Sequence, residues 1–496
     1  MRSARNDARF AKWRMSLSRQ PHYELAPTTY FAKLLSNVIN FLNFTNFFRT
    51  FAPLKSLPTY KDIWKIAMPL LFGALAENVV VVTDTAFLAR VGELELAASA
   101  IAGAFYIMLF VVGVGFGTGT QILISRRNGE KNYEKIGPIV ENSLYFIWLF
   151  SAIIVVIGLL FAEKILGALI SSETITEAAV RFLNIRVFTL FFSLGCVILS
   201  RFFVGIQFTK YVGFGALVVA ISNFILDYLL IFGKFGFPKM GLEGAALAAV
   251  LAEVLGLLFF VIIIMRKVDL NKYKLFQFKK PNLDIMRSTF NLAGYTMLQN
   301  LTSLIGWFLF FVIVEKTGER NLAVINIVRS YFLLIITPHW AFSATVSTLV
   351  SNAIGAGQRR YVFPIIRKVA TFCTGIMVVI FLFTLCFPNA IMSIYTSDVS
   401  LIEMSINGLY IVALAGIIGG IAWTIFVAVS ATGNTEIALV IDIFSTIAYV
   451  AAIYFFAFTF ADRISLVWFS EFVYSAVLII GSAIYLSTNH WMKKQI

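Results

Sequence analysis

The sequence predicts an all-α integral membrane protein with twelve transmembrane helices in two pseudo-symmetric six-helix lobes. Of the 496 residues, 59% are hydrophobic and only 13% are charged, and the mean hydropathy is +0.85. A chain of this composition is too apolar for a water-soluble globule. Long apolar segments recur along its length, and parts of the sequence repeat 226 residues apart. The repeat indicates two homologous halves.

Twelve segments are long enough to cross the hydrocarbon core of a bilayer, which takes about 20 apolar residues in a helix. The longest basic connection, from Arg266 to Arg287, separates the first six segments from the second six. We predict spans at about residues 63–89, 97–124, 138–161, 179–206, 211–232, 242–265, 284–315, 321–353, 362–386, 403–430, 435–459 and 465–487.

The internal repeat relates the two sets of six segments. Its copies share glycines and short aliphatic runs at matching positions. The repeat pairs residues 91–97 with 317–323, residues 122–129 with 348–355, and residues 204–209 with 427–432. The first two pairs are 226 residues apart and the third is 223 residues apart. Duplicated membrane halves are typical of secondary transporters.

The chain has 40 Lys and Arg residues against 26 Asp and Glu residues, which gives a net charge of +14. In a soluble protein this charge would suggest a nucleic-acid partner. Here the basic residues concentrate in alternate loops and towards both ends of the chain. By the positive-inside rule, this distribution predicts that both termini are cytoplasmic, and we expect no nucleic-acid partner.

The same distribution predicts four parts of the chain. They are a basic cytoplasmic extension at residues 1–61, a first lobe at residues 62–265, a cytoplasmic linker at residues 266–283 and a second lobe at residues 284–496. Between residues 30 and 52, asparagine recurs at every third position for several turns of an otherwise apolar stretch. This pattern favours either a helix along the inner membrane surface or a poorly ordered extension.

Acidic residues inside the apolar segments need an explanation, because an Asp at the centre of a membrane helix costs roughly 2.5 to 3.5 kcal/mol of insertion free energy. In the first lobe, Asp84 and Asp227 each lie about five residues before the predicted outer end of their segment. Asn223 shares a helix face with Asp227 because the two are four residues apart. We predict that Asp84, Asn223 and Asp227 bind a proton or another cation.

Glu77 and Glu253 form a predicted second tier of carboxylates, deeper in the membrane than Asp84 and Asp227. We expect no intramembrane Lys or Arg to neutralise these acids, so this part of the lobe should attract cations. The alternative is that the acids only hydrogen-bond helix ends or neighbouring Ser and Thr side chains.

The second lobe lacks matching acids. The repeat spacing places Ser303 opposite Glu77 and Phe310 opposite Asp84, so we expect the cation site in the first lobe alone. Arg329 has two candidate partners, Asp442 and Glu471. His339 follows Pro338, which favours a hydrogen-bonded polar residue at a kink over a proton relay.

No motif of an enzyme or a nucleotide-driven pump occurs in the chain. The sequence contains no Walker A loop, no His and Cys cluster with metal-ligand spacing and no serine elbow. The glycines at positions 113, 115, 117 and 119 indicate close helix packing. We therefore expect no enzymatic activity, no metal and no cofactor, and transport driven by an ion gradient.

Several short motifs occur together with the twelve spans. They are Ala67-Met68-Pro69, Thr83-Asp84-Thr85 followed by Val91-Gly92, Asn223 and Asp227 before Ile231-Phe232-Gly233, and Gly244-Ala245-Ala246-Leu247-Ala248. With these motifs the chain resembles the multidrug and toxic compound extrusion (MATE) family over roughly residues 60–490. Each motif alone is weak, and their combination is fairly specific.

The resemblance implies two lobes around a V-shaped cavity that opens alternately to each side and exports organic cations and other amphiphiles against H⁺ or Na⁺. It implies that Asp84, Asn223 and Asp227 match the first-lobe cation site of the DinF branch. The second-lobe Glu of the NorM branch would fall at Ser303. Ala249 and Val80 replace a Thr and a Tyr often found in the family. Because a Na⁺ site needs several oxygens, the loss of two hydroxyls favours H⁺ as the coupling ion.

Two alternatives remain open. A flippase for a lipid-linked oligosaccharide would need Arg or Lys around its anionic substrate, whereas the predicted midplane is acidic apart from Arg329. A channel or an intramembrane enzyme would need a pore loop or a nucleophile, and neither motif occurs. We expect a cationic, amphiphilic small-molecule substrate, surrounding membrane lipid, no required protein partner and a location in the bacterial inner membrane.

Overall fold

A computed structural model describes residues 57–170, 172–488 and 490–494. The described secondary structure is helical and includes no strand. Its α-helices are α1 (Tyr60–Ala89), α2 (Glu93–Gly129), α3 (Ile136–Leu169), α4 (Glu173–Arg186), α5 (Thr189–Gly205), α6 (Lys210–Phe232), α7 (Gly241–Lys267), α8 (Leu270–Tyr273), α9 (Leu283–Glu315), α10 (Glu319–Gly355), α11 (Val362–Cys386), α12 (Pro388–Met392), α13 (Val399–Ala431), α14 (Thr435–Thr459) and α15 (Ser470–Ser487). The proposed surface helix of the N-terminal extension lies outside the described residues.

Eleven helical segments in the described ranges are long and apolar enough to cross a membrane, or twelve if the bent pair α4 and α5 is one span. They follow the predicted segments in order, and their ends differ from the prediction by up to about eight residues. The prediction of an all-α, multi-pass membrane protein is confirmed. We call α1 to α7 the first half and α9 to α15 the second half. The four-part division and the V-shaped cavity remain predictions.

The fourth predicted span is broken. α4 and α5 meet at an angle of 45°, and the backbone between them hydrogen-bonds in a tighter pattern, from Phe188 N to the Ile185 carbonyl and from Leu190 N to the Val187 carbonyl. Such three-residue bonds change the direction of a helix. Trp148 of α3 also donates a hydrogen bond to a carbonyl in the first turn of α5, which fixes the helix after the bend.

α1 carries two of the predicted site residues, and its start and course are well defined. Thr59 and Asp62 form a capping box, in which the Asp62 carboxylate accepts a hydrogen bond from Thr59 N at 2.9 Å. Pro69 lies inside α1, and Gly213 of α6 packs so closely that a Cβ there would lie 2.8 Å from the Pro69 carbonyl oxygen. α1 therefore lies along α6.

The glycine series of α2 packs against two different helices. A Cβ at Gly113 or Gly117 would meet side chains of α5, whereas a Cβ at Gly115 or Gly119 would meet the backbone of α9 in the second half. Thr296 of α9 donates a hydrogen bond to the Gly115 carbonyl at 2.6 Å. The prediction that these glycines serve close helix packing is confirmed.

A reciprocal contact joins the two halves at the ends of α2 and α10, where the repeated motif lies. Gly129 leaves no room for a Cβ against the Asn352 carbonyl, and Gly355 leaves none against the Arg126 carbonyl. Positions 129 and 355, like positions 126 and 352, are related by the repeat spacing of 226. Each half therefore offers the other an equivalent surface.

Side chains reinforce this reciprocal contact. Arg126 Nη2 donates to the Thr432 carbonyl at 2.9 Å, and Asn352 Nδ2 donates to the Gly205 carbonyl at 3.2 Å. Asn128 Nδ2 donates to Asn352 Oδ1 at 2.7 Å. All three bonds run between the halves, so they hold one end of the helix bundle together.

We predict that Gly355→Ala lowers the melting temperature of the purified protein in detergent. The added methyl group must displace the Arg126 backbone, and overpacking of this kind costs about 1 to 3 kcal/mol. The matched control is Gly375→Ala in α11, where a Cβ meets no heavy atom within 4 Å. The control should leave the melting temperature unchanged or slightly higher. Equal melting temperatures for the two variants would contradict the role of this contact.

Candidate functional site

Asn223 hydrogen-bonds to both aspartates of the predicted site. Its Nδ2 donates to Asp84 Oδ1 at 2.8 Å and to Asp227 Oδ2 at 2.5 Å. One amide group carries two hydrogens, so it can make both bonds at once. Asp84 comes from α1, whereas Asn223 and Asp227 lie one turn apart on α6. The structure thus places together the three residues that depth and helix face predicted to meet.

The three residues, which we call the aspartate cluster, are buried unevenly. Asp227 is 0% exposed and Asn223 is 3% exposed, while Asp84 is half-buried. Asp227 Oδ1 has no hydrogen-bond partner among the described residues. A buried carboxylate oxygen without a donor is costly. This atom is therefore where the cluster can accept a proton or contact a cation.

Glu77 of α1 and Glu253 of α7 interact electrostatically, as a second tier of carboxylates requires. Arg201 of α5 also interacts electrostatically with Glu77. Arg201 donates from Nη1 to Gln121 Oε1 at 3.0 Å, and its buried Nε has no hydrogen-bond partner in the described part of the chain. The expectation that no intramembrane arginine accompanies these acids is therefore wrong.

Arg186 is a second arginine among the acids of the first half. It ends α4 at the break before α5, and it interacts electrostatically with Asp227 and Glu253. Its guanidinium lies over the Tyr106 ring, 5.0 Å from the centroid. In the predicted span at residues 179–206, Arg186 lies about seven residues from the outer end, close to the predicted depth of Asp84 and Asp227. The structure breaks this span beside Arg186, between α4 and α5.

Sequence reasoning missed the roles of Arg186, Arg201 and Gln121. Arginines near the ends of predicted spans are ordinarily assigned to loops. Arg186 and Arg201 carried one usable signal, because both lie inside the predicted span at residues 179–206 rather than beyond its ends. Gln121 carried none, since a single polar amide in an apolar helix has many possible partners.

Arg329 and the acids of the second half do not pair. In the described residues, the Arg329 guanidinium lies over the Phe311 ring, 4.6 Å from the centroid. Asp442 and Glu471 accept hydrogen bonds from tyrosine hydroxyls instead. The predicted pairing of Arg329 with one of these acids is wrong, because neutral hydroxyl donors occupy the positions around both carboxylates.

The region of Pro338 in α10 links several helices. His339 Nε2 lies 2.9 Å from the Gly416 carbonyl oxygen, while Nδ1 has no partner among the described residues. The prediction of a hydrogen-bonded histidine is thus confirmed for one ring nitrogen. One residue before the proline, Thr337 Oγ1 accepts a hydrogen bond from Asn78 Nδ2 of α1 at 3.1 Å. This bond adds a contact of α1 with α10 to the contacts that α2 makes with α9 and α10.

The fold and the buried acids define a class of protein, a helical multi-pass membrane protein built from two related halves. The MatE family model matches residues 69–229 and residues 295–455. These two matches begin 226 residues apart, which is the spacing of the internal repeat. The chain belongs to the MatE family.

Named relatives and solved structures agree with this membership. A probable multidrug resistance protein NorM of Thermotoga maritima is 25% identical over 411 residues, which cover 80% of this chain and 86% of the relative. A probable multidrug resistance protein YoeA of Bacillus subtilis is 24% identical over 403 residues, covering 79% and 85%. A variant of the Vibrio cholerae MATE transporter VcmN has the same fold, with a TM-score of 0.81 at 18% identity over 88% of this chain and 98% of that one.

We predict that Asn223→Ala lowers the melting temperature at neutral pH more than Thr85→Ala does. Asn223 makes two hydrogen bonds to carboxylates, and bonds to charged groups contribute about 1.5 to 3 kcal/mol each. Thr85 adjoins Asp84, but its hydroxyl donates to the Val81 carbonyl within α1, so Thr85→Ala removes a polar group without removing a bond between helices. Similar melting temperatures would show that Asn223 does not stabilise the packing of α1 on α6.

Proposed function

We propose that this protein is a secondary active transporter that exports organic cations or other amphiphilic compounds in exchange for H⁺ or Na⁺. The main support for the proposal is the aspartate cluster. The Asn223 amide donates hydrogen bonds to two carboxylates, and a buried oxygen of Asp227 accepts no hydrogen bond from the described residues. Family membership supports a transporter rather than an enzyme. The relatives named as multidrug resistance proteins support a small-molecule cargo.

The aspartate cluster is the proposed site of the coupling ion. Asn223 donates one hydrogen bond to each carboxylate, so it holds Asp84 and Asp227 close together. When both carboxylates are ionised, their negative charges repel each other. Binding of one positive charge at Asp227 Oδ1 would satisfy the free oxygen and relieve the repulsion. Glu77 and Glu253 form the proposed second tier, where Arg201 offsets part of the negative charge.

A proton fits this site better than Na⁺. Ala249 of α7 and Val80 of α1 provide no side-chain oxygen at positions where the family resemblance implies a Thr and a Tyr. Oxygen-coordinated metal ions take several ligands, whereas a proton needs a single carboxylate. We therefore propose H⁺ as the coupling ion.

Export requires the protein to open to each side in turn. We propose two six-helix lobes around a V-shaped cavity, with the reciprocal contact of Gly129 and Gly355 at the cytoplasmic end. That contact must separate when the cavity opens inward. The basic loops support cytoplasmic termini, and the bacterial relatives support the proposed inner-membrane location. Ser303, at the position of the NorM-branch Glu, supports a place closer to the DinF branch.

A flippase for a lipid-linked oligosaccharide is the less favoured alternative. Its anionic substrate would need basic side chains along the pathway, and Arg186 and Arg201 do lie in the first half. Both arginines face carboxylates of the protein itself, so their charges are partly offset. The relatives named as multidrug resistance proteins also favour the exporter.

We predict that Asp84→Asn and Asp227→Asn each reduce ethidium efflux to the background of cells that lack their own pumps. Asparagine keeps the size of the side chain but cannot take up and release a proton. The control is Glu93→Gln at the exposed start of α2, which should retain efflux at matched expression. Unchanged efflux in both Asp variants would make the cluster structural. Absence of efflux in the wild type would favour the flippase.

In inside-out membrane vesicles, we expect ethidium uptake to follow a pH gradient that is acidic inside, with Na⁺ absent. An exporter in this orientation moves ethidium inward while protons leave. Collapsing the gradient with a proton-exchanging ionophore should stop uptake, which is measured by fluorescence. Uptake that needs a Na⁺ gradient and ignores the pH gradient would overturn proton coupling while leaving the exporter in place.

A further inference from the structure

Two carboxylate and tyrosine contacts join α14 and α15 in the second half. Tyr474 of α15 donates to Asp442 Oδ1 of α14 at 2.9 Å, and Tyr449 of α14 donates to Glu471 Oε1 of α15 at 2.9 Å. Each helix thus supplies one acid and one tyrosine. The contacts are reciprocal because the two helices pack in opposite directions.

The two acids occupy separate positions along the helix pair. Asp442 and Tyr449 are seven residues apart on α14, which is a rise of about 10 Å, so the two tyrosine–carboxylate contacts involve different turns of this helix. Ser303 of α9 donates a second hydrogen bond to Asp442, through Oδ2 at 3.4 Å. Between the acids, the rings of Tyr449 and Tyr474 lie edge to face with centroids 5.6 Å apart. A line of polar groups therefore runs from Ser303 to Glu471.

No basic side chain in the described part of the chain compensates these acids. Asp442 is 0% exposed and Glu471 is half-buried. The only salt bridges between described residues involve other acids, and Arg329 contacts Phe311 instead. Uncompensated carboxylates in the interior of a membrane bundle are costly, and they mark ion or proton pathways when they persist.

The groups around the two acids come from every neighbouring helix. Tyr449 and Tyr474 are the titratable side chains that face them. α9 contributes the Ser303 hydroxyl, and α13 contributes Trp423, whose ring lies 6.2 Å from that of Tyr474. The segment before α15 contributes Trp468, which packs on apolar rings. The described surroundings therefore offer hydroxyls and aromatic faces.

Thr446 gives an independent sign of a polar ligand. It is 8% exposed, and its Oγ1 has no hydrogen-bond partner among the described residues. It lies on α14 between Asp442 and Tyr449 at helical spacing, so it shares their face. Its side chain points towards Gly306 of α9, which is one turn from Ser303. A buried hydroxyl without a partner, beside two acids, is unusual in a folded protein.

We propose that Asp442 and Glu471 bind protons and form a second proton-binding site, in the second half of the transporter. The inference rests on the proposed cation-coupled function, and it departs from the expectation of a site in the first half alone. Each carboxylate takes up one proton and becomes a carboxylic acid. A proton needs a single carboxylate oxygen, whereas oxygen-coordinated metal ions take several ligands at once. Protonation ends the charge-assisted bond from each tyrosine, so it weakens the contact between α14 and α15.

The direct test is infrared difference spectroscopy of the purified full-length protein in lipid nanodiscs during a pH titration. Protonation of a carboxylate produces a carboxylic acid C=O band. We expect Asp442→Asn and Glu471→Gln each to remove part of this band. The matched control is Glu436→Gln, in the exposed first turn of α14, which should leave the buried-acid part of the band in place.

Tyr474→Phe is a further variant that keeps the test open if Asp442→Asn does not fold. Loss of the phenol hydrogen bond should move the frequency of one component of the band without removing it, which a change in packing alone would not do. Bands that are the same in the wild type and in both acid variants would overturn the proposal. A spectral change that follows Na⁺ at constant pH would overturn it in favour of a metal cation.

Transport measurements separate this inference from the proposed function. In proteoliposomes, we expect Asp442→Asn to reduce the number of protons exchanged per ethidium, measured from the gradients at which net flux stops. If the wild type moves no cation at all, the proposed function fails, and the infrared spectra still decide proton binding at Asp442 and Glu471. Suppose instead that the wild type exports ethidium, and that the acid variants exchange the same number of protons per ethidium and show the same carboxylic acid bands. In that case only this inference fails.

Discussion

A polar side chain inside a bundle of apolar helices has to find its partner within the protein, because lipid offers none. This constraint determines which helices are tied together here. Asn223 hydrogen-bonds α6 to α1, and Tyr474 hydrogen-bonds α15 to α14. Arg126 of the first half donates a hydrogen bond to a backbone carbonyl of the second half. Apolar packing brings the helices together, and these bonds set their rotation and depth. Buried polar atoms left without a partner, such as Asp227 Oδ1, are the places where a ligand would be held most strongly.

The two halves have kept the packing positions of the repeat and have changed its charged positions. Gly129 and Gly355 make the same contact in both directions, because a side chain at either position would separate the helices. Glu77 has Ser303 at its matching position, yet Ser303 donates a hydrogen bond to a buried acid, Asp442, on another helix. Both halves carry carboxylates on helices that the repeat relates, since α6 and α7 carry Asp227 and Glu253 while the corresponding α14 and α15 carry Asp442 and Glu471. Close packing restrains glycine strongly, whereas the position of an acid along a helix can change between the halves.

The sequence predicted the helices well and the arginines poorly, for different physical reasons. Helix positions follow from apolar length, which is a property of each segment by itself. The meeting of Asp84 and Asp227 followed from their equal depth in two segments that run the same way. Arg186 and Arg201 lie inside one predicted span, and only the packing of the helices shows which acids they interact with. Arg329 was paired with acids by charge alone, although hydroxyl groups satisfy those acids in the structure.

The sequence by itself determined a helical membrane protein with two related halves, the residues that close packing requires, and the acids that lie at membrane depth. Only the tertiary structure decided which of those groups interact: the amide that Asn223 shares between two aspartates, the tyrosine partners of Asp442 and Glu471, and the electrostatic interaction of Arg201 with Glu77. Hydropathy and periodicity act along one helix. Contacts depend on how each helix is rotated and crossed against its neighbours, and that geometry arises from the packing of many side chains at once.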